Sequence, residues 1–169
     1  MSEELAALRD RLRVLEDREA IRDTLARIAR GTDRYDSELL AGAIHPDAEL
    51  DMGGKTMRGA DFVAALTPPV TARPGRMHIL SNERISLSGD SATTETYLVS
   101  CQDVLADGVR RTRIRAGRYV DRFERREGEW KLARRMMIDE WSRIDDVGEA
   151  VAITGEGGRP RPEDFSYRA

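Results

Sequence analysis

The amino-acid sequence predicts an α+β fold: a cone-shaped barrel in which N-terminal helices cover one face of a curved antiparallel sheet. Two observations support this prediction. Apolar residues near the N-terminus recur at helical spacing, as in Ile21, Leu25 and Ile28. After Gly75 the sequence changes to long alternating segments separated by tight turn signals. Helices followed by a long sheet are typical of an α+β domain whose hollow accommodates a small molecule.

The N-terminal segment predicts two successive helices. A first apolar stripe has spacings of three and four residues and consists of Leu5, Leu8, Leu12 and Leu15. The stripe is too short to predict a coiled coil, so we expect it to pack on its own domain or on a neighbouring subunit. A break is expected around residues 17–19, where Asp17 is a candidate N-cap for the second helix.

The next segment predicts short elements before the sheet. The second helix is expected to end between Gly31 and Ser37, and Asp36 is the candidate N-cap of a short helix that follows. His45 begins an expected turn, His-Pro-Asp. Residues 48–58 predict a hairpin around two adjacent glycines, and a further short helix should stop at Pro68.

Four long strands with two- or three-residue turn signals then predict an antiparallel meander. The turn signals are Ser88-Gly89-Asp90, Asp107-Gly108 and Glu127-Gly128. We assign residues 1–145 to the barrel domain and residues 146–169 to an extended C-terminal tail. The glycines and prolines of the tail make regular structure improbable, so a lid, a subunit-wrapping arm or disorder is expected there.

Composition narrows the classes of protein. A chain of 169 residues with 40% hydrophobic and 35% charged residues predicts one globular domain. A net charge of -3 argues against nucleic acid or an anionic membrane as the partner. A single cysteine, Cys101, excludes an intrachain disulfide and is expected to be a small buried residue. With no secretion signal or apolar span, a cytoplasmic location is the simplest expectation.

Asp33 and His78 are the candidate catalytic residues. Asp33 lies at the end of an amphipathic helix, and His78 lies early in a strand of a chain that has one other histidine. A carboxylate against an imidazole in an apolar pocket is a minimal acid–base pair, because the charge favours the imidazolium and burial opposes it. In the alternative interpretation, His78 is a hydrogen-bonded strand residue and Asp33 binds local backbone.

The segments GTDRYD, HPDA, MHILSN and GRYVDRFERREGEWKLARRMM together resemble the SnoaL-like branch of the nuclear transport factor 2-like superfamily. The resemblance covers about residues 5–144 and is closest to the group with scytalone dehydratase, hexachlorocyclohexane dehydrochlorinase and bile-acid 7α-dehydratase. It implies a cone-shaped α+β barrel, a deep pocket and a trimer or dimer. It also implies that Asp33 and His78 form a catalytic dyad and that Arg135 is a cavity arginine.

The sequence departs from this group at three positions. Ile28 stands where the bile-acid dehydratase has a tyrosine, and Asp51 and Met52 occupy the region of an expected pocket tyrosine. The second catalytic histidine of scytalone dehydratase has no counterpart, because His45 lies in the early turn. The dyad therefore carries over, and the leaving-group residues do not.

Five residues are candidates for substrate binding: Arg135, Tyr97, Tyr119, Met137 and Trp141. Arg135 shares a strand face with Met137 and Trp141 if the alternation is regular. Its guanidinium is expected to hold a carbonyl or leaving-group oxygen, or to pair with the nearby Asp139 or Glu140. Either tyrosine is a candidate hydrogen-bond donor to the ligand, with core packing as the alternative role.

The resulting functional prediction is a cofactor-independent lyase of the dehydratase type, acting on a hydrophobic cyclic, polyketide- or steroid-like small molecule. No metal site is expected, because the two histidines lack ligand spacing. Alternatives are an isomerase or cyclase with the same dyad, a non-catalytic ligand-binding protein, or a β-subunit-like partner of an aromatic-ring dioxygenase. A homo-oligomer, trimeric or dimeric, is the expected assembly.

Overall fold

The computed structural model describes residues 2–67, 75–146 and 155–168, and it confirms the predicted α+β class. The helices are α1 (Ser2–Arg34), α2 (Ser37–Ala41) and α3 (Gly59–Ala65). The strands are β1 (Ile44–Asp51), β2 (Thr56–Arg58), β3 (Arg76–Ser88), β4 (Ser91–Ala106), β5 (Val109–Arg126) and β6 (Glu129–Asp146).

The strands form one sheet in the order β2-β1-β6-β5-β4-β3. Strands β3 to β6 form the predicted antiparallel meander. The sheet as a whole is mixed, because β1 pairs with β6 in parallel. Two of the meander turns have positive φ at both central residues, Asp107-Gly108 and Glu127-Gly128. This conformation is that of type I′ turns, whose twist matches that of the flanking strands.

Helix α1 is continuous, so the predicted break at residues 17–19 is wrong. Nothing in that stretch stops a helix, because it contains neither glycine nor proline. Asp17 does not cap a helix: its carboxylate accepts hydrogen bonds from Arg125 Nη1 at 2.7 Å and Trp130 Nε1 at 2.8 Å. These bonds tie the middle of α1 to the β5–β6 hairpin.

The leucine stripe of the first helical turns is exposed, between 49% and 63% for its four leucines. It therefore does not pack on its own domain, and packing on a neighbouring subunit stays a prediction.

Helix α1 ends at a left-handed residue that is not glycine. Tyr35, directly after the helix, is left-handed with φ of 55°, and the Asp36 amide donates to the Gly31 carbonyl at 2.9 Å. This is the six-to-one bond of a Schellman motif. Asp36 caps α2 as predicted, accepting from the Leu39 amide at 3.0 Å. Asp33 is thereby held in the last turn of α1.

The main core lies between α1 and the inward face of the sheet. Ile21, Leu25 and Ile28 of α1 pack there with Phe123 and Leu132, all 4% exposed or less. The helical periodicity of the sequence therefore identified the buried face of α1 correctly.

The β1–β2 hairpin is present, with Leu50 opposite Met57. The expected turn at His45 is wrong, because that residue lies inside β1. Its Nε2 lies 3.1 Å from the Glu124 carbonyl oxygen. The pairing of β1 with β6 shifts in register between Ile44 and Glu49. The residues with turn-like sequence therefore lie in an irregular part of the strand. Helix α3 is also present, and the expected stop at Pro68 lies outside the described residues.

A bulge in β3 changes which residues face the core. The register shifts between Ser81 and Arg84, and Asn82 has φ of 52°. Because one extra residue reverses the alternation, Ile85 is buried on the same inward face as His78. Regular alternation along β3 would place these two residues on opposite faces, because they are seven positions apart.

The described part of the tail returns to the C-terminal end of α1. The Arg161 amide donates to the Arg34 carbonyl at 2.8 Å, and the Tyr167 hydroxyl donates to Asp36 Oδ2 at 2.9 Å. The Arg30 guanidinium lies 4.6 Å from the Tyr167 ring centroid. Residues 155–168 thus contact their own chain beside the first helix, and the boundary at residue 145 stays a prediction.

The outward face of the sheet carries several apolar side chains that are 38% to 50% exposed. They are Met77, Ile79, Tyr97, Val99, Val120, Met136 and Trp141. Such a patch is the kind of surface that a second copy covers in an oligomer, and the homo-oligomer stays a prediction. None of the described helices combines the length and apolarity needed to cross a membrane.

Candidate active site

Asp33 and His78 are in direct contact through two hydrogen bonds. Asp33 Oδ1 lies 2.6 Å from His78 Nδ1, and Asp33 Oδ2 accepts the backbone N–H of His78 at 2.9 Å. Their side chains are 9% and 15% exposed. The structure therefore brings the two sequence-predicted residues together, largely withdrawn from solvent.

Local structure explains why these residues meet. Strand β3 is the edge of the sheet, so every second N–H has no partner strand, and Asp33 binds the one at His78. Asp33 is in the last turn of α1, where the helix dipole disfavours a carboxylate by about 0.3–1 kcal/mol. The hydrogen bond that Asp33 accepts from the backbone N–H of His78 offsets this cost.

The contact also fixes the tautomer of the neutral ring. An ionised carboxylate only accepts hydrogen bonds, so Nδ1 must carry the proton. Nε2 then has a free lone pair, and no residue in the described ranges forms a hydrogen bond with it. Because His78 lines the cavity, its unprotonated Nε2 is available to a molecule bound there.

The cavity between α1 and the sheet has a volume of about 120 Å³. Its apolar wall includes Leu25, Ile28, Leu80 and Met137, and its polar wall runs across the sheet from His78. A cavity of ~150 Å³ holds benzene, so the enclosed space accepts about one ring. An open groove of about 360 Å³ adjoins it, shares His78 and Leu80 with it, and is also lined by Asp33.

Arg135 and Asp121 form a buried ion pair in the cavity wall. They are directly opposite on β5 and β6, with Nε to Oδ1 at 2.9 Å and Nη2 to Oδ2 at 2.7 Å. The side chains are 4% and 0% exposed. The guanidinium also lies 3.7 Å from the Tyr119 ring centroid. The expected pairing of Arg135 with Asp139 or Glu140 is wrong.

Burial is the largest single influence on the pKa of Tyr119, Asp121 and Arg135. It raises the pKa of the Tyr119 phenol, so the phenol stays protonated as a potential donor. Burial lowers the pKa of the Arg135 guanidinium, but the charge and hydrogen bonds of Asp121 outweigh it, and the net shift is upward. Burial also raises the pKa of the Asp121 carboxyl, against the opposing effect of Arg135.

Three of the five predicted binding residues line the cavity: Arg135, Tyr119 and Met137. The cavity positions expected for Tyr97 and Trp141 are wrong. Tyr97 alternates with inward-facing neighbours and is 45% exposed on the outward face. Trp141 is 50% exposed there, because a register shift at Gly117 reverses the alternation of β6 beyond Met137.

The absence of a side chain at Gly117 permits this shift. A Cβ added there would lie 2.2 Å from the Ile138 carbonyl oxygen, so only glycine fits.

Four polar cavity residues on the sheet were not identified from the sequence: Arg76, Ser100, Gln102 and Arg115. The register places His78, Ser100 and Arg115 side by side on three strands, and Arg76 opposite Gln102. Arg76 has the same parity as His78 in β3, so alternation alone was a usable signal for it. The cavity positions of Ser100, Gln102 and Arg115 follow only from the pairing of their strands with β3.

The positions that depart from the dehydratase group also face the cavity. Ile28 and Met52 both line it. Both contribute apolar surface where phenols are expected by resemblance. Among the described residues, no group of three potential metal-ligating side chains is gathered.

A helix-covered curved sheet with a polar pair in its hollow defines the class of nuclear transport factor 2-like barrels. A family model described as a SnoaL-like domain matches residues 13–136, which is most of the chain. The protein belongs to the SnoaL-like family. A comparison with curated proteins found no match.

Solved structures agree with this assignment. A nuclear transport factor 2-like protein with a cystatin-like fold from Novosphingobium aromaticivorans is 30% identical, with a TM-score of 0.61 over 77% of this chain and 86% of its own. Hexachlorocyclohexane dehydrochlorinase LinA-type3 from Novosphingobium barchaimii LL02 is 22% identical, with a TM-score of 0.72 over 84% and 99%.

A protein described as a scytalone dehydratase, from Novosphingobium aromaticivorans DSM 12444, is 21% identical, with a TM-score of 0.66 over 81% and 97% of the two chains. These last two likenesses show a shared fold.

Proposed function

We propose that the protein is a cofactor-independent lyase of the dehydratase type, with His78 as the base and Asp33 as its partner. The observation that supports this most directly is the 2.6 Å contact between Asp33 Oδ1 and His78 Nδ1, with Nε2 left to the cavity. The dehydratase and dehydrochlorinase among the similar structures favour the same reaction class.

In the proposed reaction, His78 Nε2 removes a proton from the carbon next to a carbonyl group. Asp33 stabilises the imidazolium that forms. The carbon–oxygen bond to the leaving hydroxyl then breaks, a carbon–carbon double bond forms, and the imidazolium returns its proton so that water leaves. A positioned base contributes about 10²- to 10⁴-fold to the rate.

Arg135 is the candidate donor to the carbonyl oxygen in this scheme. The Arg135 guanidinium has five N–H donors, and Asp121 accepts hydrogen bonds from two of its nitrogens. The remaining donors are available to a ligand. Tyr119 is a second donor, because its phenol stays protonated. Donors that are fixed before the reaction stabilise a developing oxyanion without reorganisation.

The proposed substrate is a hydrophobic cyclic molecule. The apolar wall and the size of the cavity suit one ring, and a larger polyketide- or steroid-like molecule would extend into the adjoining groove. The same dyad supports an isomerase or cyclase if the proton is returned to another atom. A non-catalytic binding protein is the other candidate, favoured by the pairing of Arg135 with Asp121, which neutralises its charge.

The test is a panel of monocyclic β-hydroxy ketones in D₂O, followed by absorbance of the conjugated product and by deuterium incorporation. Elimination produces the absorbance, and isomerisation produces deuterium without it. His78→Gln should lower the rate about 10²- to 10⁴-fold while ligand binding persists. His45→Gln is the matched control, because that ring lies against Glu124. Equal rates in the wild type and His78→Gln would contradict the proposal.

A further inference from the structure

Arg76 places a further guanidinium in the cavity wall, on the same strand as His78. It lies two residues before His78 on β3, so both side chains face the cavity, with Cα atoms roughly 7 Å apart along the strand. Its neighbour across the strands is Gln102, which also lines the cavity. The guanidinium and the amide therefore share one end of the hollow, next to the dyad.

Among the described residues, Arg76 is the cavity arginine that lacks an ion-pair partner. Arg115 is paired with Asp139 through bonds of 2.9 and 2.6 Å, and Arg135 is paired with Asp121. Within residues 2–67, 75–146 and 155–168, Arg76 forms no ion pair. Its Nε is buried and has no hydrogen-bond partner in the part of the chain that the structure describes. A buried N–H donor without a partner is costly, and an anionic ligand group would satisfy it with a charge-assisted hydrogen bond.

The guanidinium is also held in place. It lies 4.6 Å from the ring centroid of Tyr35, the buried left-handed residue that ends α1. Stacking on an aromatic face fixes the plane of a guanidinium, and a planar donor pair suits a carboxylate. The same helix end thus positions both Asp33 and the support of Arg76.

We propose that Arg76 binds a carboxylate of the ligand, with Gln102 donating a further hydrogen bond. The substrate of the dyad is accordingly a cyclic β-hydroxy ketone that also carries a carboxylate, with its ring against Leu25 and Ile28. This inference rests on the proposed function for the role of His78. The carboxylate is not consumed: the proton goes to Nε2, the hydroxyl leaves as water, and the acid group stays bound to Arg76.

The test uses benzoate as the anionic probe and benzamide as its neutral counterpart. Binding is followed by amide chemical-shift changes in a titration of the full chain. Benzoate should bind wild-type protein at least about tenfold more tightly than benzamide. Arg76→Met should abolish that difference. Arg84→Met is the matched control, since Arg84 is an exposed arginine of the same strand.

Two further variants keep the outcome decisive. Gln102→Leu tests the same end of the cavity if Arg76→Met does not fold, and it should also weaken benzoate. His78→Gln should still bind benzoate, so failure of this inference is separate from failure of the dyad. Equal affinity for the two probes in the wild type, or equal loss in Arg76→Met and Arg84→Met, would overturn the carboxylate subsite.

Discussion

The change Asp33→Asn tests the central geometric feature, the orientation of His78 by a carboxylate. In the wild type both carboxylate oxygens accept, one from the backbone N–H and one from the ring. The introduced amide has a single acceptor oxygen. If that oxygen keeps the backbone N–H, its NH₂ group faces Nδ1, and the ring proton must move to Nε2.

The size of the preference follows from these contacts. A hydrogen bond to a charged group contributes about 1.5–3 kcal/mol. Because 1.4 kcal/mol corresponds to a factor of ten, the wild type should favour the Nδ1–H tautomer about 10- to 150-fold. In Asp33→Asn, a ring proton kept on Nδ1 would face the NH₂ group of the introduced asparagine. Two buried donors would then face each other, which costs about 1–3 kcal/mol. The neutral ring should therefore change to the Nε2–H tautomer.

The assay is ¹⁵N correlation spectroscopy of the two histidine rings, recorded at a pH where both are neutral. His45 provides an internal reference. Its Nε2 faces the Glu124 carbonyl oxygen, which only accepts hydrogen bonds, so the neutral ring should carry its proton on Nε2. We expect opposite tautomers for the two rings in the wild type and the same tautomer in Asp33→Asn. A wild-type His78 with its proton on Nε2 would refute the orientation of the base.

Two further predictions concern stability. Arg135→Met should destabilise the fold by about 3–5 kcal/mol in chemical denaturation, because it leaves the buried Asp121 unpaired, and adding Asp121→Leu should restore part of that loss. Equal stability of the single and double variants would contradict this. For the tail, burial raises the pKa of Asp36, but hydrogen bonds from the Leu39 amide, Tyr167 and Arg161 outweigh it and hold the pKa below its ordinary value. Tail docking should therefore be complete above about pH 4 and weaken as the pH falls through the lowered value, as followed by nuclear Overhauser contacts of the Tyr167 ring. Contacts that persist unchanged at pH 2.5 would be inconsistent with this linkage, and Asp36→Asn should release the tail at pH 7.

Periodicity predicted the parts of the fold that depend on regular repeats. The buried face of α1 and the meander follow from residue spacing, since one repeat holds along each element. The same reasoning was wrong where a repeat is interrupted. The bulge near Asn82 turned Ile85 inward, and the shift at Gly117 turned Trp141 outward. One inserted residue reverses every side chain after it, and its position depends on pairing with the neighbouring strand.

The sequence by itself determined which residue types are available for chemistry, above all two histidines and an aspartate at a helix end. The tertiary structure alone decided which charges are compensated. Asp121 meets Arg135 and Asp139 meets Arg115 only through the register of β5 and β6. Charge pairing acts over a few ångströms in space, and separation along the chain does not report that distance.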